Sequence, residues 1–247
     1  LSSILHQKYK NFEVIFVDNC SNDSSSKIFK KINDSRFKYF KTKKKIKLYE
    51  ARNYALKKCK GHFITFIDTD DWWDRNFLFS RSKFFNSSNE YGFCFSNCFH
   101  YLENRKKYII FSKKTLPSGY ILEDLLKNYF IKMGTIILKK ELTSFMKFNP
   151  KYNIIGDYDF IIRASKKFKG MSFQDKLVNI RIHRTNFTHN NRKMFYLEFK
   201  DWMKKQNFKK QNFKKNKFYL DQKLEYLRLI SLLTSNKRFN LIFDIIK

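Results

Sequence analysis

Residues 61–74 read GHFITFIDTDDWWD, a short apolar run that ends in Asp68, Asp70 and Asp71, with Asp74 three residues on. Carboxylates gathered that closely repel one another unless a cation bridges them. Hard oxygen ligands suit Mg2+ or Mn2+, which in turn holds a diphosphate. The plainer reading is an N-cap for a helix after Trp73, supplied by Asp71 or Asp74. One aspartate satisfies a cap, and this cluster exceeds that need, so it reads as a ligand site.

Two further groups carry chemistry. Gly156-Asp157-Tyr158-Asp159 opens the pattern DFIIRASKKF. Aspartate at a helix N-terminus caps the helix and is stabilised by its dipole. The same position also aims a carboxylate into a cleft as a general base. Arg181-Ile182-His183-Arg184 closes a strand-like run, and alternation puts Arg181 and His183 on one face, where they could meet phosphate or metal. An ordinary surface histidine fits that pattern equally well.

The elements that must position these groups follow from the apolar pattern. FEVIFVD (12–18) is a β-branched, aromatic strand ending in Asp18-Asn19, followed by an Asn/Asp/Ser turn and the helical SSSKIFKKI. RFKYFK (36–41) predicts a second strand, and Tyr49–Lys60 a helix with Gly61 as its left-handed stop. FITFID (63–68) predicts a third strand. This order points to a parallel, doubly wound sheet, whose ligands sit outside the carboxyl ends of the strands. Asp18-Asn19 and Asp68–Asp71 both fall at such ends.

Beyond Trp73 the chain reads as a helical stretch, RNFLFSRSKFFNSS, then edge or antiparallel strands in YGFCFSNCFHYL and KKYIIFSKK. GYILEDLLKNYF predicts a helix, GTIILKK a strand, IGDYDFIIRASKKFKG a helix and KLVNIRIHR an edge strand. From about Asn190 helical segments flank a tandem KKQNF unit, a basic solvated surface rather than a solenoid.

A chain of 247 residues with 43% hydrophobic and 19% aromatic residues buries a real core, which excludes wholesale disorder. Cys20, Cys59, Cys94 and Cys98 are too few for a disulfide scaffold and read as buried thiols of a reducing compartment. No run approaches the length of a membrane span, and LSSILHQKYK lacks the order of a signal peptide. With 52 Lys and Arg against 22 Asp and Glu, the net charge of +30 favours anionic partners. Nucleic acid, acidic phospholipid and phosphorylated small molecules all qualify, and Lys/Asn/Ile/Phe-rich compositional drift accounts for the charge as well.

Three blocks in order, SSILHQKYKNFEVIFVDNCSND, EARNYALKKCKGHFITFIDTDDWW and NIIGDYDFIIRAS, resemble the family 2 glycosyltransferases of the GT-A fold. The resemblance extends to about residue 190. It implies an α/β fold: a GT-A-type doubly wound mixed sheet with a Rossmann-like nucleotide-binding half and a helical C-terminal extension. The domain would cover 1–189, without the family's first strand, and a basic helical region 190–247.

The resemblance also assigns roles. Asp18 and Asn19 fall at the nucleotide base, Asn19 where the family often has aspartate. Arg52 matches the A-R-N arginine beside the nucleotide. Asp70 and Asp71 match the aspartates that meet ribose and the metal-bound diphosphate, with Asp68 supporting them. Asp157 matches the general base, preceded by Gly156 where the family has Glu. His183 lies where the family often places a residue near the metal. The implied activity moves a sugar from a nucleotide-sugar donor to a glycan or lipid-linked acceptor, with Mg2+ or Mn2+ and inversion. The setting would be cytoplasmic, with peripheral contact to an anionic membrane and no specific nucleic acid. The alternatives are a non-catalytic basic protein for nucleic acid or anionic membrane, and an inactive truncated transferase.

Overall fold

A computed structural model of the chain describes residues 1–85, 90–209 and 211–235. After a one-turn helix α1 (Ser2–Leu5), the β-branched run forms β1 (Val14–Asp18). The turn that follows passes through Cys20 in the left-handed region (φ 57°) and enters α2 (Ser25–Lys30). Strand β2 (Phe37–Lys41) then returns parallel to β1, with Val14 opposite Phe37 and Asp18 opposite Lys41. Phe29 of α2 is buried and stacks on Phe16 at 4.4 Å, which fastens the crossover helix to the strand pair.

Helix α3 (Leu48–Leu56) stops short of the predicted Lys60. Gly61 does not adopt the left-handed stop either, because Lys57 continues in helical geometry and donates to Ala55 and Asn53. The backbone N–H of Gly61 instead donates to Glu13 Oε1 at 3.0 Å, just ahead of β1. β3 (Phe63–Thr65) follows, and β4 is the pair Trp72–Trp73.

The helical stretch predicted after Trp73 is two short helices, α4 (Phe77–Ser80) and α5 (Ser82–Phe85); its residues 86–88 lie outside the described residues. Strands β5 (Tyr91–Ser96), β6 (Phe99–Leu102) and β7 (Lys107–Ile110) come next, then α6 (Leu122–Lys127) and β8 (Ile137–Lys139). Helices α7 (Lys140–Phe145) and α8 (Gly156–Ser165) lead to β9 (Lys169–Phe173) and β10 (Val178–Ile182).

Among the described residues the strands form three sheets, β1-β2, β3-β8-β5-β9 and β4-β10-β6-β7. Parallel and antiparallel pairs mix. β3 pairs antiparallel with β8, whereas β5–β9 and β6–β10 are parallel. Two sequence expectations change here. Lys169 and Gly170, read as the end of a helix, open β9 instead, because Tyr91–Ser96 offer Lys169–Phe173 a parallel ladder. β10, read as an edge strand, is flanked by β4 and β6. The core beneath these strands gathers Ile4, Trp73, Phe77, Leu78, Cys98 and Val178. The guanidinium of Arg81, fully buried, is neutralised by both oxygens of Asp175 at 2.7 and 2.8 Å.

The chain divides into two compact units, Leu1–Ile121 with Phe130–Ile182, and Leu122–Tyr129 with the described residues from His183 onward. The second is helical: α6 with α9 (Phe187–Asn190), α10 (Arg192–Lys204) and α11 (Gln211–Ser235). Phe199 and Trp202 are buried and stacked at 5.6 Å, and Phe213 joins them. No helix among the described residues is long and apolar enough to cross a membrane. Residues 236–247 of the predicted basic region lie outside the described residues.

Candidate functional site

The acidic run after β3 is a turn, closed by the backbone N–H of Asp71 donating to the carbonyl of Asp68 at 3.1 Å. Neither Asp71 nor Asp74 caps the helix that follows: α4 begins after Asn76 with no side-chain cap, and Asp74 instead closes a local turn by accepting the backbone N–H of Asn76 at 2.8 Å. Asp71 is held differently. Its Oδ1 accepts the backbone N–H of Arg181 on β10 at 2.9 Å. The tight turn Met133–Thr135 lies against this carboxylate: a Cβ on Gly134 would stand in ordinary contact with its Oδ2 at 3.7 Å and closer, at 3.3 Å, to the end of the Ile180 side chain. Trp73 donates its indole N–H to the Gly134 carbonyl at 2.9 Å, a packing role beneath the turn.

Burial raises the Asp71 carboxyl to about 7, and the charges of Asp68 and Asp70 add to that, against the Arg181 N–H and the Lys132 ammonium. Asp68 is more exposed and pairs with Arg52 at 2.9 Å. Arg52 is almost fully buried among the rings of Tyr49, Phe66 and Phe148, with centroids at 5.5, 5.6 and 5.9 Å. Burial pulls its pKa down, but Asp68, Tyr49 and Asp157 push it further up, so it stays cationic.

Asp157 sits in the first turn of α8 and accepts the backbone N–H of Tyr158 at 2.7 Å. The Tyr49 hydroxyl lies 3.3 Å from the same oxygen and 2.8 Å from the carbonyl of Ile154. Burial raises the Asp157 carboxyl, and the Arg52 charge opposes that rise. Arg52 thus stands in electrostatic reach of two carboxylates, one after β3 and one opening α8. Asp159, the other acid of that helix, pairs with Arg163 one turn on.

The pair after β1 is engaged locally. Asp18, 1% exposed, accepts the Tyr39 hydroxyl and the Ser21 N–H, which hold its carboxyl below the usual range. Asn19 donates to the Ile46 carbonyl at 2.7 Å and accepts the Ile46 N–H at 2.9 Å. Only an amide can make both bonds, which accounts for asparagine at this position. Arg181 pairs with Glu103. His183 opens the helical unit, with Nδ1 2.8 Å from the Thr185 hydroxyl.

Sequence reasoning passed over two residues. Lys132, just ahead of the Met133–Thr135 turn, is half-buried, with Nζ 4.6 Å from the Phe111 ring. Its charge acts on both Asp71 and Asp157. Tyr49 lies in a helix whose composition marks nothing special. Neither stands in a motif; only the fold joins them to the carboxylates.

Among the described residues no three His, Cys, Asp or Glu side chains gather to hold a metal ion. The donors at hand, Asp70 and Asp71 with Asp68 tied to Arg52, are all hard oxygens. They fit Mg2+ or Mn2+ bound through one or two carboxylates, with water and phosphate completing the shell. They do not fit an all-protein cage.

The family described as Glycosyl transferase family 2 matches residues 1–142. The chain belongs to it. Within the family, it is 34% identical over 140 residues to the UDP-Glc:alpha-D-GlcNAc-diphosphoundecaprenol beta-1,3-glucosyltransferase WfaP of Escherichia coli, covering 57% of this chain and 54% of WfaP. The amylovoran biosynthesis glycosyltransferase AmsB of Erwinia amylovora is 28% identical over 202 residues, 72% of this chain and 63% of AmsB. The chain therefore spans about half the length of WfaP and under two thirds of AmsB. Among solved structures, S. aureus TarS 1-349 in complex with UDP-GlcNAc has a TM-score of 0.62 at 18% identity, over 81% of this chain and 60% of that one. Mannosyltransferase PcManGT from Pyrobaculum calidifontis, in complex with GDP-Man and Mn2+, has a TM-score of 0.62 at 13% identity, over 92% and 66%. The fold is the GT-A-type mixed α/β architecture that the family resemblance implied.

Proposed function

We propose that this chain transfers a sugar from a nucleotide-sugar donor to a glycan or lipid-linked acceptor, with inversion, in the synthesis of cell-surface polysaccharide or lipopolysaccharide. One observation carries the reading: Arg52 pairs with Asp68 at 2.9 Å and its charge also acts on Asp157, so a donor-side and an acceptor-side carboxylate share one cation. The relatives' printed activities, a glucosyl transfer to a diphosphoundecaprenol-linked sugar and a step of amylovoran synthesis, support the substrate classes.

Asp157 takes the proton from the acceptor hydroxyl as its oxygen bonds to the anomeric carbon. The bond from that carbon to the donor's phosphate oxygen breaks, and its electron pair leaves with the nucleoside diphosphate. Burial makes Asp157 a stronger base than an exposed aspartate, which suits proton abstraction. A single base on one side and a leaving group on the other give one displacement and hence inversion.

On the donor side Asp68 and Asp70 meet the ribose and Arg52 lies beside the nucleotide, with Asp18 and Asn19 shaping the loop at the base. Asp71, with Asp70, would hold Mg2+ or Mn2+, which supplies charge neutralisation at the diphosphate when bound. Lys132 gives the leaving diphosphate a cation of the chain's own. The region 190–247 is read as a basic helical extension of a transferase domain over 1–189. With the +30 charge, that extension suits peripheral contact with the anionic inner face of a membrane.

Calorimetry with UDP-glucose, UDP-GlcNAc and GDP-mannose, each with and without Mn2+, tests the reading. Binding of one donor that strengthens with Mn2+ is the expected result. No binding of any, together with salt-sensitive binding of RNA or DNA, would sink it in favour of a basic binding protein.

A further inference from the structure

The acid that precedes the general base in the family pattern is absent here, and the space at Gly156 is already filled. A Cβ on Gly156 would lie 2.4 to 2.6 Å from three ring carbons of Tyr49, well inside contact distance. That ring is 2% exposed and stacks on Phe148 at 5.6 Å, so it has nowhere to retreat. Its hydroxyl reaches the Ile154 carbonyl at 2.8 Å and Asp157 Oδ1 at 3.3 Å, one donor spanning the approach to α8 and the carboxylate in its first turn.

We propose that Tyr49 is the positioning residue for Asp157, and that Gly156 is glycine so that the Tyr49 ring can occupy its side-chain space. The proposal rests on Asp157 being the base of the proposed transferase. Three features support it. Burial keeps the Tyr49 hydroxyl protonated throughout the working range, so its one proton is always shared between the Ile154 carbonyl at 2.8 Å and Asp157 Oδ1 at 3.3 Å. A hydroxyl bonded to a carboxylate makes a charge-assisted bond, stronger than the one it makes to the neutral acid, so it favours the ionised base. The same ring lies 5.5 Å from the Arg52 guanidinium, so one side chain orients both the base and the cation that opposes its burial.

The hydroxyl is not itself a proton acceptor for the substrate. It holds Oδ1, leaving the other carboxylate oxygen to take the acceptor's proton. Tyr49→Phe keeps the ring that fills the Gly156 space and removes only the hydroxyl, which makes it the informative variant.

The test has a spectroscopic arm and a kinetic arm. With aspartate labelled at the carboxyl carbon, the Asp157 resonance is assigned by its loss in Asp157→Asn and titrated in wild type and Tyr49→Phe. The midpoint is expected to rise in Tyr49→Phe by about half a pH unit or more. With UDP-glucose and a synthetic GlcNAc-diphospholipid, kcat at pH 7 should fall roughly tenfold while donor KM stays within about twofold. An unchanged midpoint overturns the proposal, as does a shifted midpoint with unchanged kcat. If wild type neither turns over nor binds any sugar nucleotide, the transferase reading fails, and the titration alone then decides whether Tyr49 holds Asp157. Should Tyr49→Phe not fold, Gly156→Ala takes its place: a midpoint and kcat equal to wild type there overturn the proposal, and displacement of both supports it.

Discussion

Asp71 accepts the backbone N–H of Arg181 at 2.9 Å, across 110 residues of sequence. This one bond joins the acidic turn after β3 to the strand β10 and fixes where a half-buried carboxylate stands. A charge there is costly, because burial and the neighbouring Asp68 and Asp70 carry its titration to about 7.

That cost sets a pH dependence. In metal-free buffer the folded protein binds a proton on Asp71 more tightly than the unfolded chain does. Its destabilising effect is therefore absent below about pH 4, grows as pH rises toward 7 and is complete above it. Asp71→Asn keeps the acceptor for the Arg181 N–H and removes the charge. Thermal melts in EDTA should show the variant more stable than wild type at pH 8 and equal to it at pH 4, while calorimetry shows its donor affinity lost. A variant less stable at pH 8 would contradict the strain assigned to this carboxylate.

Asn19→Asp should weaken the fold despite restoring the residue common in the family. The Ile46 carbonyl would lose the amide donor at 2.7 Å and face a carboxylate oxygen in its place. A loss of about 1–3 kcal/mol is expected in urea unfolding at pH 7. Unchanged stability would show that the Ile46 pairing carries no weight.

Lys132→Gln separates phosphate from nucleoside recognition. Affinity for UDP should fall about tenfold or more, as expected for one lost charge-assisted contact, while affinity for uridine stays the same. Equal loss for both ligands would assign Lys132 to the fold rather than to the diphosphate.

The parts of this site that the sequence disclosed are those whose signal is local. The β-branched run of β1 and the helical SSKIFK of α2 together specify a strand-helix unit, and Asp157 announces a helix start by sitting where the dipole favours acid. Gly61 misled because its backbone N–H is taken by Glu13, a partner 48 residues away. Lys169 and Gly170 look like the end of a helix until Tyr91 and Phe93 pair with them, and KLVNIRI reads as an edge until β4 and β6 flank it. Lys132 and Tyr49 were invisible for the same reason. Their meaning lies in carboxylates 61 and 108 positions away, and no periodicity encodes that distance.

Two departures from the family pattern have matching explanations. Asparagine at 19 serves the Ile46 backbone and glycine at 156 admits the Tyr49 ring. Each is a change at the site answered by a specific neighbour, which is how a polar cleft keeps its groups paired.

The most direct measurement is release of nucleoside diphosphate from UDP-glucose, UDP-GlcNAc and GDP-mannose with a GlcNAc-diphospholipid acceptor, comparing wild type with Asp157→Asn. Wild type is predicted to turn over one donor, and Asp157→Asn to lower kcat about 10²- to 10⁴-fold with donor affinity within about twofold. A variant that retains wild-type turnover would contradict the account of Asp157 as the base, and with it the reaction built around it.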